Sequence, residues 1–481
     1  MRQSLIGKLL NFDKTKNITF GTQFMKKALI IGRSTAQFPY IESVCDALLR
    51  RGFKVNLAYD EYWSGKSPHQ PDGLVEWLHD NQNASLIWYP KRSNNRLSNI
   101  LFFCREFRSF TNYCKRDNDY EFYRNRWLEY LKFGPVMRQL FLARSIQKII
   151  ASSIFDILLR CIERAFPTVT QIDQWLLKIK PDVVLISPMN LRFSGEVDIV
   201  KSLLKLNIPY SVLTLTWDNL SSKGIFQFKP ENLLVWNKAQ LEDSVVLHGI
   251  LKSNVKIVGS PFFDKWRLDK ITAKQLADHK KKLKIRSGQK VITYVGSSAN
   301  IIKNETQIIN SLRHELDNSE NLELRNARLI VRFHPANWAQ AADLQTTSIT
   351  IYPKTGTLPS THDEVLDFGL SILASDFIVG VNTSAMLDAV ILDRPVISLL
   401  VKKSMLKQAK SRHFQVMVST GAVDVCKNVK EIVKQFALTL RNDKNKVSRK
   451  LFVKTYIWPA SNCLTSGELS AAEIIRHSQR R

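Results

Sequence analysis

Cysteine is scarce and scattered in this chain. Its 481 residues hold six, at positions 45, 104, 114, 161, 426 and 463. None forms a Cys-x-x-Cys pair or stands beside histidines at metal-ligand spacing, so neither a disulfide framework nor a zinc site is indicated. A reducing compartment fits this usage. Long apolar runs are missing too. No stretch approaches the roughly 20 residues that cross a bilayer, and residues 1–24 lack the apolar core of a secretory signal. Together these absences predict a cytoplasmic protein. Acidic residues are also in short supply, 43 against 70 Lys and Arg, for a net charge of +27. Such an excess implies attraction to something anionic: nucleic acid, an acidic membrane surface or phosphorylated substrates. No RNA-binding signature accompanies the charge, so nucleic acid is not expected as a partner. What remains, 44% hydrophobic and 23% charged, is ordinary for a globular protein long enough to form two domains.

The most informative stretch is Ile378 to Leu399. An apolar strand ends in Gly380-Val-Asn-Thr-Ser384, a helix follows that carries Asp388, and Arg394-Pro395 stops it before a second apolar strand. Such a turn offers backbone N–H groups and the hydroxyls of Thr383 and Ser384 at the positive end of a helix, where a phosphate can be held. Asp388 follows Ser384 by about one helical turn, so its carboxylate can face the same crevice and accept from a ribose or sugar hydroxyl. The plainer reading is that strand-helix turns of any doubly wound sheet are capped by Asn, Thr or Ser.

The same alternation runs along most of the chain. Ala28 to Gly32, a helix from Tyr40 to Arg51 and Lys54 to Ala58 form a βαβ opening. Apolar runs return at 181–186, 210–215 and 232–236. A second series begins after Val258-Gly-Ser-Pro261, with strands at 290–295, 327–332, 348–352, 376–379 and 395–399. Nearly continuous apolar strands separated by helices predict parallel sheets covered on both faces. The expected fold is therefore α/β, two tandem Rossmann-like doubly wound domains with a ligand cleft between the carboxyl ends of their sheets. The boundaries read as an extension over 1–24 with no role in the fold, a first domain over 25–257, a second over 258–440 and a tail with a helix over 441–481. The hinge is expected near 258–285.

An insertion at about 91–165 does not follow the pattern. Residues 91–150 hold 13 Lys or Arg against five acids, interleaved with Phe102, Phe103, Phe107, Phe110, Tyr113, Tyr120, Phe122, Tyr123, Trp127 and Tyr130. One reading is a surface that lies on anionic lipid and inserts rings. The other, slightly favoured, is a helical cap on the sheet whose basic residues are its solvated face.

In the second domain three loops at strand ends are candidates for one donor site. They are Gly296-Ser297-Ser298-Ala299-Asn300, then Arg332-Phe333-His334-Pro335, then Asn382-Thr383-Ser384 with Asp388. A small hydroxyl-rich turn lets backbone approach a phosphate closely. His334 can stabilise charge developing on a departing phosphate, with Arg332 assisting. Across the cleft, the loop Thr216 to Gly224 offers Trp217 and Asn219 on the acceptor side and Asp218 as a carboxylate base. Gly32 begins the other first-domain loop that faces the cleft.

At these residues the chain resembles GT-B fold glycosyltransferases and their relatives, the non-hydrolysing nucleotide-sugar 2-epimerases and the CDP-glycerol polymer transferases, over roughly 25–60 and 180–435. Val258-Gly-Ser-Pro-Phe-Phe-Asp264 looks like the Gly-x-Pro-x-x-Asp segment between the epimerases' domains. His334-Pro335 and Thr383-Ser384 look like the motifs with which bacterial sialyltransferases hold the nucleotide phosphate. There are departures. The sialyltransferases' paired-acid-Gly motif is not evident in the first domain. The epimerases' acidic pair is here Asp388-Ala389, and their His-Arg loop is replaced by Gly296-Ser297-Ser298, which argues against epimerisation. The resemblance implies metal-independent transfer, without cofactor, from a nucleotide-sugar donor to a glycan or lipid-linked acceptor of the cell surface. The alternatives are a CDP-polyol phosphate transferase, a nucleotide-sugar 2-epimerase, or an inactive scaffold that binds a glycan or membrane.

Overall fold

Apolar runs bounded by glycine, proline and asparagine become short strands, all of them parallel. The computed structural model describes residues 25–61, 70–116, 120–268, 271–299, 301–344, 348–400, 410–460 and 463–480. The expected extension at 1–24 lies outside them. In the first domain the strands are β1 (Lys26–Ile31), β2 (Phe53–Tyr59), β3 (Ala84–Trp88), β4 (Val183–Ile186), β5 (Ser211–Leu213), β6 (Leu233–Val235) and β7 (Val255–Ile257). They lie in the order β3-β2-β1-β4-β5-β6-β7. The second domain holds β8 (Val291–Val295), β9 (Arg328–Arg332), β10 (Ile349–Ile351), β11 (Phe377–Gly380), β12 (Val396–Leu399) and β13 (Asp424–Cys426), ordered β10-β9-β8-β11-β12-β13. Each order reverses once, between β1 and β4 and between β8 and β11. Ligands bind beyond the carboxyl ends of the strands at such reversals.

Helices cover both faces, which is why these strands read as unbroken apolar runs. Ala28 and Ile30 face one core with Val44, Leu48 and Leu57. Leu29 and Ile31 face another with Ile172, Leu176 and Val200. Three strands escaped the sequence pattern, among them the short β7. β3 is a half-buried edge, and β13 is three residues long with a polar start.

The insertion folds into the helices Arg96–Cys114, Glu121–Tyr130, Pro135–Leu142, Arg144–Ile150 and Ser153–Ala165. Phe107, Phe110, Tyr113, Tyr120, Tyr123 and Trp127 are buried in a core of their own. This corrects the lipid reading of the aromatics: most of these rings face one another and have no free surface to insert. Part of the basic charge is internal as well. Arg105 is buried against Glu163 and Asp198, and Arg108 against Asp156.

The chain passes between domains at Val258 to Asp264 and returns at its end. Helix Ser466–Ser478 packs Ala471 and Ile474 into the first domain's core. Asp264, fully buried, ties the two crossings together. Its carboxylate accepts from Ser43 Oγ at 2.7 Å, Gly467 N at 2.8 Å and Ser466 N at 3.1 Å. The last two are N–H groups of the returning helix's first turn, which have no partner within the helix. Close packing demands glycine here. A Cβ on Gly467 would lie 2.3 Å from Ser43 O, and one on Gly259, whose φ is +83°, 2.4 Å from Ser466 Oγ. Asp264→Ala leaves these donors buried without an acceptor, a loss of about 2–4 kcal/mol. The expected result is a lower midpoint of thermal unfolding and early proteolytic loss of the last helix, whereas Asp264→Asn, which keeps one acceptor oxygen, falls between.

Candidate functional site

Three second-domain loops are knitted together at the reversal between β8 and β11. Gly296 N donates to Arg332 O at 2.7 Å, and a Cβ on Gly296 would lie 2.8 Å from His334 N. Ser297 Oγ donates to Val381 O at 2.5 Å, while Ser297 N donates to Glu305. Asn337 Nδ2 donates to Ser297 O at 3.0 Å. Gly296 thus serves close backbone packing. Ser297 corrects an expectation: it is fully buried and both its donors are already engaged, so it holds the loops in register and has no hydroxyl left for a phosphate. Ser298, half-buried, follows it at the mouth, and Asn300 lies outside the described residues.

The third loop carries its polar groups outward. Asn382 takes φ +43°, a left-handed conformation that asparagine tolerates better than most residues. Its Oδ1 is buried without a partner. Thr383 is half-buried, Ser384 is exposed, and Ser384 makes no side-chain cap bond to the helix Ala385–Ile391.

His334 caps the turn that follows β9. Its Nδ1 accepts from Ala336 N at 3.1 Å. In that arrangement the neutral ring carries its proton on Nε2, which is left to donate. Burial pushes the His334 pKa below the ordinary value, so the ring is neutral at physiological pH. The imidazole is therefore set up as a hydrogen-bond donor and not as a full charge. Arg332, the last residue of β9, stacks on Phe368 with its guanidinium carbon 4.6 Å from the ring centre. Its Nη1 is buried without a partner. A cavity of about 300 Å³ opens beside it, lined by Lys282, Tyr352, Thr355, Thr357 and Asp363.

Asp388 is buried and already engaged. Its Oδ1 accepts from Trp266 Nε1 at 2.8 Å and lies 3.5 Å from Lys265 Nζ. Lys265 also sits 3.8 Å from the centre of the Phe262 ring, and Phe262 stacks on Tyr40 of the first domain at 4.3 Å. Burial raises the Asp388 pKa against the pull of Lys265, and burial lowers the Lys265 pKa against Asp388. Each partner is thus drawn towards its neutral form. The expected carboxylate for ribose or sugar hydroxyls is instead first an anchor for the linker. A Cβ on Gly369 would lie 2.5 Å from the Trp266 ring, so glycine there makes room for that anchor. Lys265 is the cation that sequence reasoning missed. Its signal was a lone lysine among Phe262, Phe263 and Trp266 in a stretch read only as a hinge.

Two parallel sheets ordered 3-2-1-4-5-6-7 and 3-2-1-4-5-6, and a chain that crosses back at its end, can be compared with known proteins. The chain has the GT-B fold. Over 95% of its length it superposes on 97% of a putative UDP-N-acetylglucosamine 2-epimerase from Listeria monocytogenes, with a TM-score of 0.53 and 11% identity. The Neisseria meningitidis UDP-GlcNAc 2-epimerase bound to UDP-GlcNAc matches with a TM-score of 0.51 and 11% identity, covering 94% of this chain and 99% of that one. Arabidopsis thaliana UGT89C1 complexed with UDP gives 0.50 and 14%, again covering 94% and 99%. Residues 244–458 match the family model of CDP-glycerol:poly(glycerophosphate) glycerophosphotransferase. The second domain is thus similar to that of a transferase family. No curated protein sequence matches the chain.

On the first-domain side of the GT-B cleft the loop after β5 is closed down. Asp218 accepts from Ser222 Oγ at 2.6 Å and Thr216 Oγ1 at 2.7 Å and pairs with Lys223 Nζ at 2.9 Å. Burial alone would raise its pKa, but Lys223, His413 and the two hydroxyls outweigh it and hold the carboxyl far below the usual range. A carboxylate so stabilised is a poor proton acceptor, which speaks against Asp218 as the base. Asn219 is 1% exposed, its Oδ1 taken by Thr216 N at 2.6 Å, and Trp217 is buried edge-on against His413. Neither presents a surface to an acceptor. Gly32 has a packing reason, since a Cβ there would lie 2.5 Å from the Tyr59 ring. Glu106 was not foreseen. Burial pushes its pKa up to about 7, its Oε1 accepts from Phe193 N at 2.7 Å, and its Oε2 has no partner. The described residues hold no cluster of His, Cys, Asp or Glu suited to a metal ion, and the triplet Asp117-Asn118-Asp119 lies outside them.

His413, from the second domain, closes this side. It is buried between Ser221 Oγ at 2.8 Å and Ser411 Oγ at 3.1 Å, and burial lowers its pKa to about 4 despite Asp218. Between pH 6.5 and about 4 the unfolded chain protonates this histidine and the folded one does not. Stability is therefore lost as pH falls through that window. With His413→Gln the loss is smaller by about 1.4 kcal/mol per pH unit, read from denaturant unfolding of both proteins at several pH values.

Proposed function

We propose that the protein is a metal-independent glycosyltransferase that holds a nucleotide-sugar donor on its second domain and passes the sugar to a cell-surface polysaccharide or glycolipid acceptor lodged against the first. The observation that carries this reading is the knitted set of loops after β8, β9 and β11, which leaves His334 Nε2–H and the hydroxyls of Thr383 and Ser384 as donors at one reversal point. In the reaction the acceptor hydroxyl oxygen bonds to the anomeric carbon and gives up its proton to water, and that carbon's bond to the phosphate oxygen breaks. The electron pair stays on the leaving nucleotide phosphate. Donors aimed at that oxygen stabilise the transition state more than the ground state. Arg332, with its free Nη1 and adjoining cavity, suits the remainder of the nucleotide, and Asn382 shapes the turn. Lys265 adds positive charge nearby, partly offset by Asp388.

The family match over 244–458 favours a second reading, transfer of a polyol phosphate from a CDP-polyol. There the acceptor oxygen bonds to the β-phosphorus and CMP departs. The same donors would serve, because charge again develops on a phosphate.

Incubating the full chain with a panel of UDP-sugars and with CDP-glycerol, and identifying the released nucleotide, separates the two. UDP release supports the first and CMP release from CDP-glycerol the second. No release from any donor that the protein measurably binds, with glycan and lipid-linked acceptors supplied, would leave the epimerase and scaffold alternatives. His334→Ala is expected to lower kcat about 10²-fold while nucleotide affinity changes little. Unchanged turnover in the folded variant would remove His334 from the reaction.

A further inference from the structure

The insertion buries its rings yet leaves aliphatic side chains in water. In the helix Ser153–Ala165, Phe155, Leu159 and Ile162 face the insertion's core. The opposite side carries Ile154, Ile157, Leu158 and Cys161, spaced i, i+3, i+4, i+7, with Ile154 80% and Leu158 52% exposed. A helix apolar on two sides is one that expects cover on both. The neighbouring helices repeat the arrangement. Val136 is 82% exposed, and Leu97 and Ile149 project from helices packed against the same core. Isolated exposed leucines are ordinary, but several on adjoining helices form an interaction surface.

We propose that this outer face of the insertion is a membrane-docking surface that seats its aliphatic side chains in an anionic lipid leaflet. Charge complementarity selects the occupant. Arg96, Lys148 and Arg164 are exposed on the same helices and Lys132 in the turn before Pro135, whereas Arg105 and Arg108 are buried in ion pairs and do not contribute. Long basic side chains beside an aliphatic face match lipid headgroups above acyl chains. A second copy of the chain is a poorer match, because a two-fold contact would set this basic face against itself. No helix among the described residues is long and apolar enough to cross a membrane, so the contact is with one leaflet. The surface differs from the aromatic one weighed against the helical cap in the sequence, and it does not depend on the transfer chemistry.

The test is flotation of the full chain with vesicles of phosphatidylcholine and with vesicles that also contain phosphatidylglycerol. The variants are Val136→Asn with Ile154→Asn, and separately Leu97→Asn with Ile157→Asn, at exposed positions where folding should not suffer. Binding to the anionic vesicles is expected, weaker on neutral ones, with each double variant partitioning about tenfold or more less well. Failure of the wild-type chain to float with anionic vesicles overturns the proposal, as does equal flotation of the variants. A lipid-free dimer, seen by analytical ultracentrifugation and abolished by the same substitutions, would assign the face to a second copy.

Discussion

Everything at the cleft hangs from the carboxylate of Asp264. Two sheets can present their carboxyl ends to one another only if the chain crosses between them in a fixed direction and is held after crossing. The buried Asp264 supplies that hold by joining Ser43 of the first domain to the first turn of the returning helix. Its burial raises its own pKa despite these donors, so the clasp is maintained against the cost of enclosing a charge. The next two residues are thereby aimed. Lys265 and Trp266 reach Asp388 on the helix that follows the Asn382 turn. A constraint on domain orientation thus also places a cation and an aromatic ring beside the donor loops.

The sheets were legible because parallel strands covered on both faces need apolar side chains at every position, and few other structures produce such runs between helices. The doubly wound character of both sheets follows from that one regularity, whereas the strand order that makes the reversal points does not. β3 was not legible, since an edge strand buries only half its surface, and neither was β13, too short for any period to show. The insertion shows a different limit. Its rings and basic residues were visible as a composition, but composition does not say which side of a helix faces inward. The rings turned in, two of the arginines found buried acids, and aliphatic residues that had drawn no attention turned out.

The donor side was legible as loops and much less as individual side chains. Glycine, serine, histidine and asparagine at strand ends mark where backbone and ligand can approach. Whether a given hydroxyl is free depends on a loop distant in sequence. Ser297 and Ser298 are chemically identical neighbours, yet Ser297 is consumed by Val381. Asp218 fails as a base for the same kind of reason: Lys223 and two hydroxyls make its charged form too stable to take a proton. His334 keeps one ring nitrogen available because its backbone partner engages the other. The Ala336 N–H occupies Nδ1 and fixes the proton on Nε2.

The insertion is coupled to the cleft by contacts that run through the loop after β5. Tyr113 donates to Lys223 O at 2.7 Å, and Arg116 donates to Ser221 O at 3.3 Å. Ser221 in turn meets His413, and Lys223 pairs with Asp218. The helices whose outer faces carry Val136 and Ile154 therefore share a packed core with the residues that brace one side of the cleft. Close-packed interiors transmit displacement, so a load on the outer face would be felt at the β5 loop before it reached the donor loops around His334. The loop after β5 is in this sense built as part of the insertion, while the loops around His334 are built as part of the second sheet. The two meet through the Asp264 clasp and through the His413 contact.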